Sequence, residues 1–184
     1  MPVTQLDPRT ALVLIDLQRS VVDLTAGPHT TAEVVARCAR LANAFRAADL
    51  PVVLVNVTGG APGRVEKGFA GGDPQPGWTE LVPELDHQPD DILVTKQRWN
   101  AFHGTALDSE LRRHQVTQVV VAGISTSSGV ESTARAAHDH GYHVIVPVDA
   151  ITDVVPDAHD NSVAFVFPRM SETGTTEEVL AHLH

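Results

Sequence analysis

Val119-Val120-Val121-Ala122, followed by Gly123-Ile124-Ser125-Thr126-Ser127-Ser128-Gly129-Val130-Glu131-Ser132-Thr133-Ala134, is the stretch on which the fold turns. A short, continuously apolar run of β-branched residues reads as a strand buried on both faces. The small residues after it read as a tight turn, and the helix-period run that follows ends at His140-Gly141. A turn of this kind presents free backbone N–H groups at the positive end of a helix dipole. In α/β enzymes it is where an anion or an oxyanion is held.

Working outward, short apolar runs alternate with helix-period segments, the pattern of βαβ units on a parallel sheet. Ala11-Leu12-Val13-Leu14-Ile15 is a first strand running into Asp16. A helix over Ala32 to Ala48 follows, introduced by Thr30-Thr31-Ala32-Glu33 as a capping box. Its apolar face is Val34, Val35, Cys38, Leu41, Ala42 and Phe45. Val52–Val55 is the second strand, and Ile92–Thr95, ending at Lys96, is the third. A helix from Thr105 to about His114 precedes the fourth strand, and a helix over Val130–His140 follows the glycine turn. The fifth strand is His143–Val148. Pro156 to about Phe167 reads as a helix ended by Pro168, and Thr175-Thr176-Glu177-Glu178 caps a last helix through Leu183.

With 184 residues, 42% apolar and 20% charged, the chain is expected to form one domain over 1–184. A net charge of −10 without a basic stripe excludes a nucleic-acid partner. No apolar run is long enough to span a bilayer, so no membrane partner is expected. The N-terminal residues lack the pattern of a signal peptide, and the single cysteine, Cys38, suits a reducing compartment. A cytoplasmic protein acting on a small-molecule substrate is expected. The segment Thr58 to Asp91 holds Gly59, Gly60, Gly63, Gly68, Gly71, Gly72 and Gly77 with five prolines. A connection of this length reads as a lid, a binding loop or a subunit contact, with a tolerated surface insertion as the alternative.

Asp16 and Lys96 each end a strand at its carboxyl edge, and the Gly123–Gly129 turn ends another. Ligands of open α/β sheets bind on that edge. A partly buried carboxylate beside a lysine is a general acid/base pair in which each partner tunes the other's pKa. The alternative reading is a structural ion pair.

The sequence resembles the isochorismatase-like (cysteine hydrolase) family over nearly its whole length. The resemblance is carried by Ala11-Leu12-Val13-Leu14-Ile15-Asp16-Leu17-Gln18 and by Lys96 through Asp108. Further matches are Val119 to Gly123 with Thr126, Val130-Glu131-Ser132-Thr133-Ala134, Gly141-Tyr142 and Val148-Asp149-Ala150. It implies a three-layer α/β/α sandwich on a parallel, Rossmann-like sheet of five or six strands. It also implies a homo-oligomer, with the Gly/Pro-rich segment and Trp78 as a candidate contact, and a non-proline cis peptide between Ile124 and Ser125. In that family a strand-end aspartate, a lysine and a cysteine at the helix N-terminus form the catalytic triad. The match places Asp16 and Lys96 in the first two roles, and the third falls on Gly129. Glycine carries no nucleophile, so thioester chemistry cannot run through this position. Cys38 belongs to the apolar face of the first long helix. Ser127 and Ser128 read as helix caps; without a histidine base, serine is a poor nucleophile.

Isochorismatases resemble this chain in carrying glycine at that position. Their reaction protonates the carbon of an enolpyruvyl vinyl ether, and water then captures the oxocarbenium ion. The resemblance implies Asp16 as the acid, Lys96 as its orienting cation and Gly129 as the source of room at the turn. It also implies Arg98, Trp99, Ser125 and Ser128 as substrate contacts, Arg98 by a carboxylate-matching fork, with a surface or intersubunit salt bridge as the alternative for Arg98. Two departures point away from isochorismate itself. Ser125 stands where those enzymes carry tyrosine, and Val57-Thr58-Gly59-Gly60 stands where they carry a glutamine. The alternatives are a pseudoenzyme that binds a small carboxylate or amide, and a Cys→Gly form of a cysteine amidase. No cofactor is expected. No metal is expected either, since Asn56 to Asp73 lacks the histidines of the zinc-binding nicotinamidase branch. His138-Asp139-His140 with His143 reads as polar residues at a helix end, and His159 and His182 are expected to face solvent.

Overall fold

The computed structural model describes residues 3–66 and 76–183. In chain order the elements are β1 (Thr10–Ile15), α1 (Arg19–Val22), α2 (Thr31–Ala47), β2 (Val52–Val57) and β3 (Ile92–Lys96). They continue with α3 (Leu107–Arg113), β4 (Gln118–Ile124), α4 (Glu131–Asp139), β5 (His143–Pro147) and β6 (Ile151–Thr152). The last are α5 (Pro156–Asn161), β7 (Glu172–Gly174) and α6 (Thr176–Ala181). The strands form one parallel sheet in the order β3-β2-β1-β4-β5-β7, with the two-residue β6 pairing beside β4. The expected α/β class therefore holds, with β6 and β7 extending the sheet beyond the strands that apolar runs reveal. Strands of two and three residues carry too little pattern to be seen in sequence.

β1 and β4 are buried along their whole lengths, as strands covered on both faces must be. Edge strand β3 instead alternates, with Val94 and Lys96 inward and Leu93 and Thr95 outward. From β1 the chain crosses through α2 to β2 on one side. From β4 it crosses through α4 to β5 on the other. Right-handed crossovers running in opposite directions put the two helices on opposite faces, which makes the sandwich. The buried residues of α2 are Val34, Val35, Cys38, Leu41, Ala42 and Phe45, and its Thr30–Glu33 capping box is formed in both directions.

Several boundaries differ from the sequence expectation. The run after Pro156 is not one helix ended by Pro168. It is α5, then a π-type turn at Ser162–Val166, then a 3-10 turn at Phe167–Arg169 that contains the proline. Proline is tolerated there because the first turn of a helix has no partner for its missing N–H. Within Thr58–Asp91, residues 67–75 lie outside the described residues. The remainder is partly ordered by pairing: Leu81 bridges antiparallel to Gln18, and Pro83–Leu85 forms a 3-10 turn. No helix among the described residues is long and apolar enough to cross a membrane.

One ion pair fixes where β3 begins. Arg46, in the last turn of α2, donates from Nε and Nη2 to the two oxygens of Asp91 at 3.0 and 2.7 Å. It also donates to the Leu85 carbonyl at 3.0 Å. Asp91 immediately precedes β3, so the bidentate fork holds the strand that delivers Lys96. Asp91→Ala leaves a mostly buried guanidinium without its carboxylate and is expected to cost about 2–3 kcal/mol, read as a lower urea midpoint at unchanged slope.

Candidate active site

The strand order reverses between β1 and β4, and the crevice outside such a switch point is where open α/β sheets bind ligands. Asp16 follows β1 there at φ 53°, a left-handed conformation that aspartate tolerates better than most side chains. Lys96 ends β3, two strands away, and its long side chain reaches back so that Nζ lies 2.6 Å from Asp16 Oδ2. Both residues are buried, Lys96 at 2% and Asp16 at 6% exposure. Burial pushes the Asp16 carboxyl up from 3.8 to about 6, against the pull of the Lys96 ammonium. Its second oxygen, Oδ1, is buried with no hydrogen-bond partner among the described residues.

The turn between β4 and α4 closes over this pair. The Ile124–Ser125 peptide is cis, as the resemblance implies. Thr126–Val130 winds as a single π-type turn in which the Ser125 carbonyl accepts from Val130 N at 3.1 Å. Two glycines permit the close approach. Gly123, at φ 120°, pairs with Ile15, and a Cβ there would lie 2.2 Å from the Ile15 carbonyl oxygen. At Gly129 a Cβ would lie 2.8 Å from Ile15 Cγ2, 3.2 Å from Asp16 Oδ2 and 3.7 Å from Lys96 Nζ. Position 129 thus points straight at the ion pair, where the resemblance puts it. The room expected at the turn is not a void, however: the Ile15 methyl packs against the glycine backbone and occupies part of the space a side chain would need.

The structure therefore brings Asp16, Lys96 and Gly129 together. The other predicted contacts lie on neighbouring loops. Arg98 is half-buried and donates from Nη1 to the Gly60 and Gln97 carbonyls at 2.9 and 2.6 Å, tethering the loop after β2 to the loop after β3. Trp99 beside it is 67% exposed. Ser125 opens the turn, and the Ser128 N–H donates to its carbonyl at 3.3 Å.

Three expectations need correction. Ser127 does not cap α4, and neither Ser125 nor Val130, the residues at the N-caps of the turn and of α4, makes a side-chain cap. The Ser127 N–H and hydroxyl instead both donate to Asp153 Oδ2, at 2.7 and 2.8 Å. His159 does not face solvent. It is 4% exposed, with Nδ1 2.9 Å from the Thr126 hydroxyl, because α5 packs against the turn that carries Thr126. His182 is half-buried, with Nδ1 2.8 Å from the Glu178 carbonyl oxygen.

Cys38 is buried in α2, as its spacing predicts, with Sγ 3.6 Å from the Ala150 carbonyl oxygen. Burial pushes its thiol far above the usual range, so it stays protonated. Sequence reasoning missed the role of Gln18. Fully buried, it donates to the Val57 and Trp78 carbonyls at 3.0 and 3.3 Å and accepts from Val57 N at 2.7 Å. It thereby locks three segments around Asp16. Its place two residues after Asp16, in a strand-end motif that is otherwise apolar, is the signal that could have marked it.

A buried ion pair contributes little net stability, and an orphaned buried acceptor costs about 1–3 kcal/mol. Such an arrangement is weakly justified as scaffolding and well suited to chemistry. A carboxyl near 6 exchanges a proton close to neutral pH, the adjacent ammonium stabilises it once ionised, and Oδ1 is free to carry the proton.

Residues 10–178 match the isochorismatase domain family. The chain is 38% identical over 177 residues to the isochorismatase family protein YecD of Escherichia coli, covering 93% of this chain and 94% of the relative. It is 32% identical to the ureidoacrylate amidohydrolase RutB of Methylobacterium radiotolerans, covering 83% of this chain and 71% of the relative. Its fold superposes with a TM-score of 0.93 on an isochorismatase family protein from Burkholderia thailandensis, at 39% identity and 97% coverage of both chains.

The packing at Gly129 makes a stability test direct. Gly129→Ala drives a Cβ against Ile15 and is expected to destabilise by about 1–3 kcal/mol. Ile15→Ala combined with Gly129→Ala is expected to lose clearly less than the sum of the two single changes, measured by urea denaturation.

Proposed function

The chain belongs to the isochorismatase family, whose members are hydrolases, and from that premise we propose that it hydrolyses a small polar metabolite by acid catalysis at Asp16, without a covalent intermediate. The best candidate bond is a vinyl ether. The observation that carries this reading is the Asp16 carboxyl itself: buried, raised to about 6, paired through Oδ2 with Lys96 and, among the described residues, unpartnered at Oδ1.

The steps follow from what the residues can hold. Protonated Asp16 gives its proton to the terminal vinyl carbon, and the ether carbon becomes an oxocarbenium ion. The Asp16 carboxylate left behind is stabilised by the Lys96 ammonium 2.6 Å away. Water adds to the cationic carbon and its proton restores Asp16. The resulting hemiketal collapses to a ketone and an alcohol, which for an enolpyruvyl ether are pyruvate and the hydroxy acid. No atom of this sequence needs a nucleophile at position 129.

Two further observations support this reading over the cysteine chemistry that a C–N hydrolase of this kind would use. The only cysteine is Cys38, buried in α2 and held as a thiol. The turn is also packed as a glycine turn, with the Ile15 methyl where a longer side chain would begin. Removing a cysteine from a close-packed site leaves a cavity, because the surroundings relax only partly. That favours Gly129 as part of the design over a disabled Cys→Gly amidase.

Pyruvate release from isochorismate is the first assay, with other enolpyruvyl ethers beside it. Asp16→Asn keeps the shape but cannot donate the proton, and at least a ~1000-fold loss of kcat is expected; full activity in that variant refutes the proposal. Because the acid form is the active one, kcat/KM should be flat below about pH 6 and fall about tenfold per unit above it. A profile that rises through pH 6 instead would make Asp16 a base.

A further inference from the structure

Against the turn lies a cluster of buried polar groups that the proposed reaction does not use. All of it comes from one short segment. Asp153, 2% exposed, accepts from the N–H and the hydroxyl of Ser127 through Oδ2. Its Oδ1 accepts from Val155 N at 3.0 Å, and its backbone pairs with Gly27. His159, one turn into α5, places Nδ1 2.9 Å from the hydroxyl of the fully buried Thr126. Ser162, fully buried at the end of α5, places its hydroxyl 2.6 Å from Glu131 Oε2. The three contacts fall on residues 126, 127 and 131, on both sides of Gly129.

That arrangement has a consequence for the acid. The turn is the lid of the Asp16 site, since its residue 129 points at Asp16 Oδ2 across 3.2 Å measured from where a Cβ would stand. The carboxyl is raised because it is buried, so whatever holds the turn down also keeps the acid protonatable. A π-type turn lacks the regular bonding of an α-helix and needs outside support to keep one position. The support here comes from side chains rather than backbone, and its central contact is a single hydrogen bond.

We propose that His159, acting through Thr126, is the positioning residue that holds the Gly129 turn over Asp16 and Lys96, with Asp153 and Ser162 as the flanking clamps. His159 touches neither reacting atom. Burial lowers its pKa, so the ring is neutral at neutral pH; Asp160, Asp153 and His29, whose ring centroid lies 6.5 Å away, are the titratable groups facing it. A neutral ring pairs with the hydroxyl as donor or as acceptor. This role rests on Asp16 being the proton donor, and its test separates the two.

The test is a carbon-13 NMR titration of the aspartate carboxyls of the full chain, with Asp16 assigned by its loss in Asp16→Asn. In the parent protein Asp16 is expected to titrate near 6. His159→Leu removes the ring nitrogen, and Thr126→Val removes the hydroxyl at nearly constant shape; in both, the loosened turn admits water and the Asp16 midpoint is expected to fall by ~1 pH unit or more. His159→Asn keeps a polar atom at the position of Nδ1 and is expected to restore the parent midpoint. A pure loss of fold would not be selectively rescued in this way, and Thr126→Val carries the test alone if His159→Leu does not fold. An Asp16 midpoint unchanged in Thr126→Val overturns the proposal while leaving Asp16 as the acid. A parent midpoint near 3.8 overturns the acid reading, and the positioning role with it.

Discussion

The contact between Asp16 and Lys96 is the constraint around which the rest of the site is arranged. It joins the carboxyl ends of two strands that do not pair with each other, so it can form only if β2 lies between them in register, with Val57 opposite Lys96 and Val55 opposite Ile15. It places two charges where water does not reach, a costly arrangement unless the geometry is good and other groups assist. Here the geometry is good at Oδ2 and deficient at Oδ1. A stabilising ion pair would have satisfied both oxygens. A proton donor needs one of them free.

The glycine at position 129 belongs with that constraint rather than beside it. A side chain there would push against a β-branched methyl on β1, which cannot swing away as a flexible chain end could. The glycine lets the turn approach the Asp16 carboxyl closely. The same residue that offers no nucleophile thus lets the turn lie against the buried carboxyl.

Around this centre the fold supplies fastening at increasing distance. Gln18 ties the loop after β2 and the Trp78 strand of chain to the residues just past Asp16. The Arg46–Asp91 fork sets where β3 starts, and hence where Lys96 ends. The segment from Asp153 to Ser162 grips the turn. Each uses buried, directional polar contacts, which specify position more sharply than apolar packing does. The apolar core of β1, β4 and α2 makes the platform rigid, but it does not by itself decide where a carboxyl oxygen lies to within a few tenths of an ångström.

Much of this was legible in the residues. Continuous apolar runs at Ala11–Ile15 and Val119–Ala122, helix-period spacing from Val34 to Phe45 and a reciprocal cap at Thr30 and Glu33 are local patterns. They announce a parallel α/β sheet because burial on both faces and a period of 3.6 leave a chemical trace along the chain. Asp16, Lys96 and the glycine turn were legible for the same reason: each sits at the carboxyl end of a readable strand. His159 was not. Its neighbours Asp157 and Asp160 make the segment look exposed, and only the docking of α5 on Thr126 buries it. The closeness of Ile15 to Gly129, the bare oxygen of Asp16 and the partner of Ser127 are likewise products of long-range packing. Sequence alone determined the longer elements and which residue types reach the rim of the sheet, since those depend on near neighbours. Only the tertiary structure decided which oxygen is left unpaired and what holds the turn above it, because those depend on distances between segments far apart in the chain.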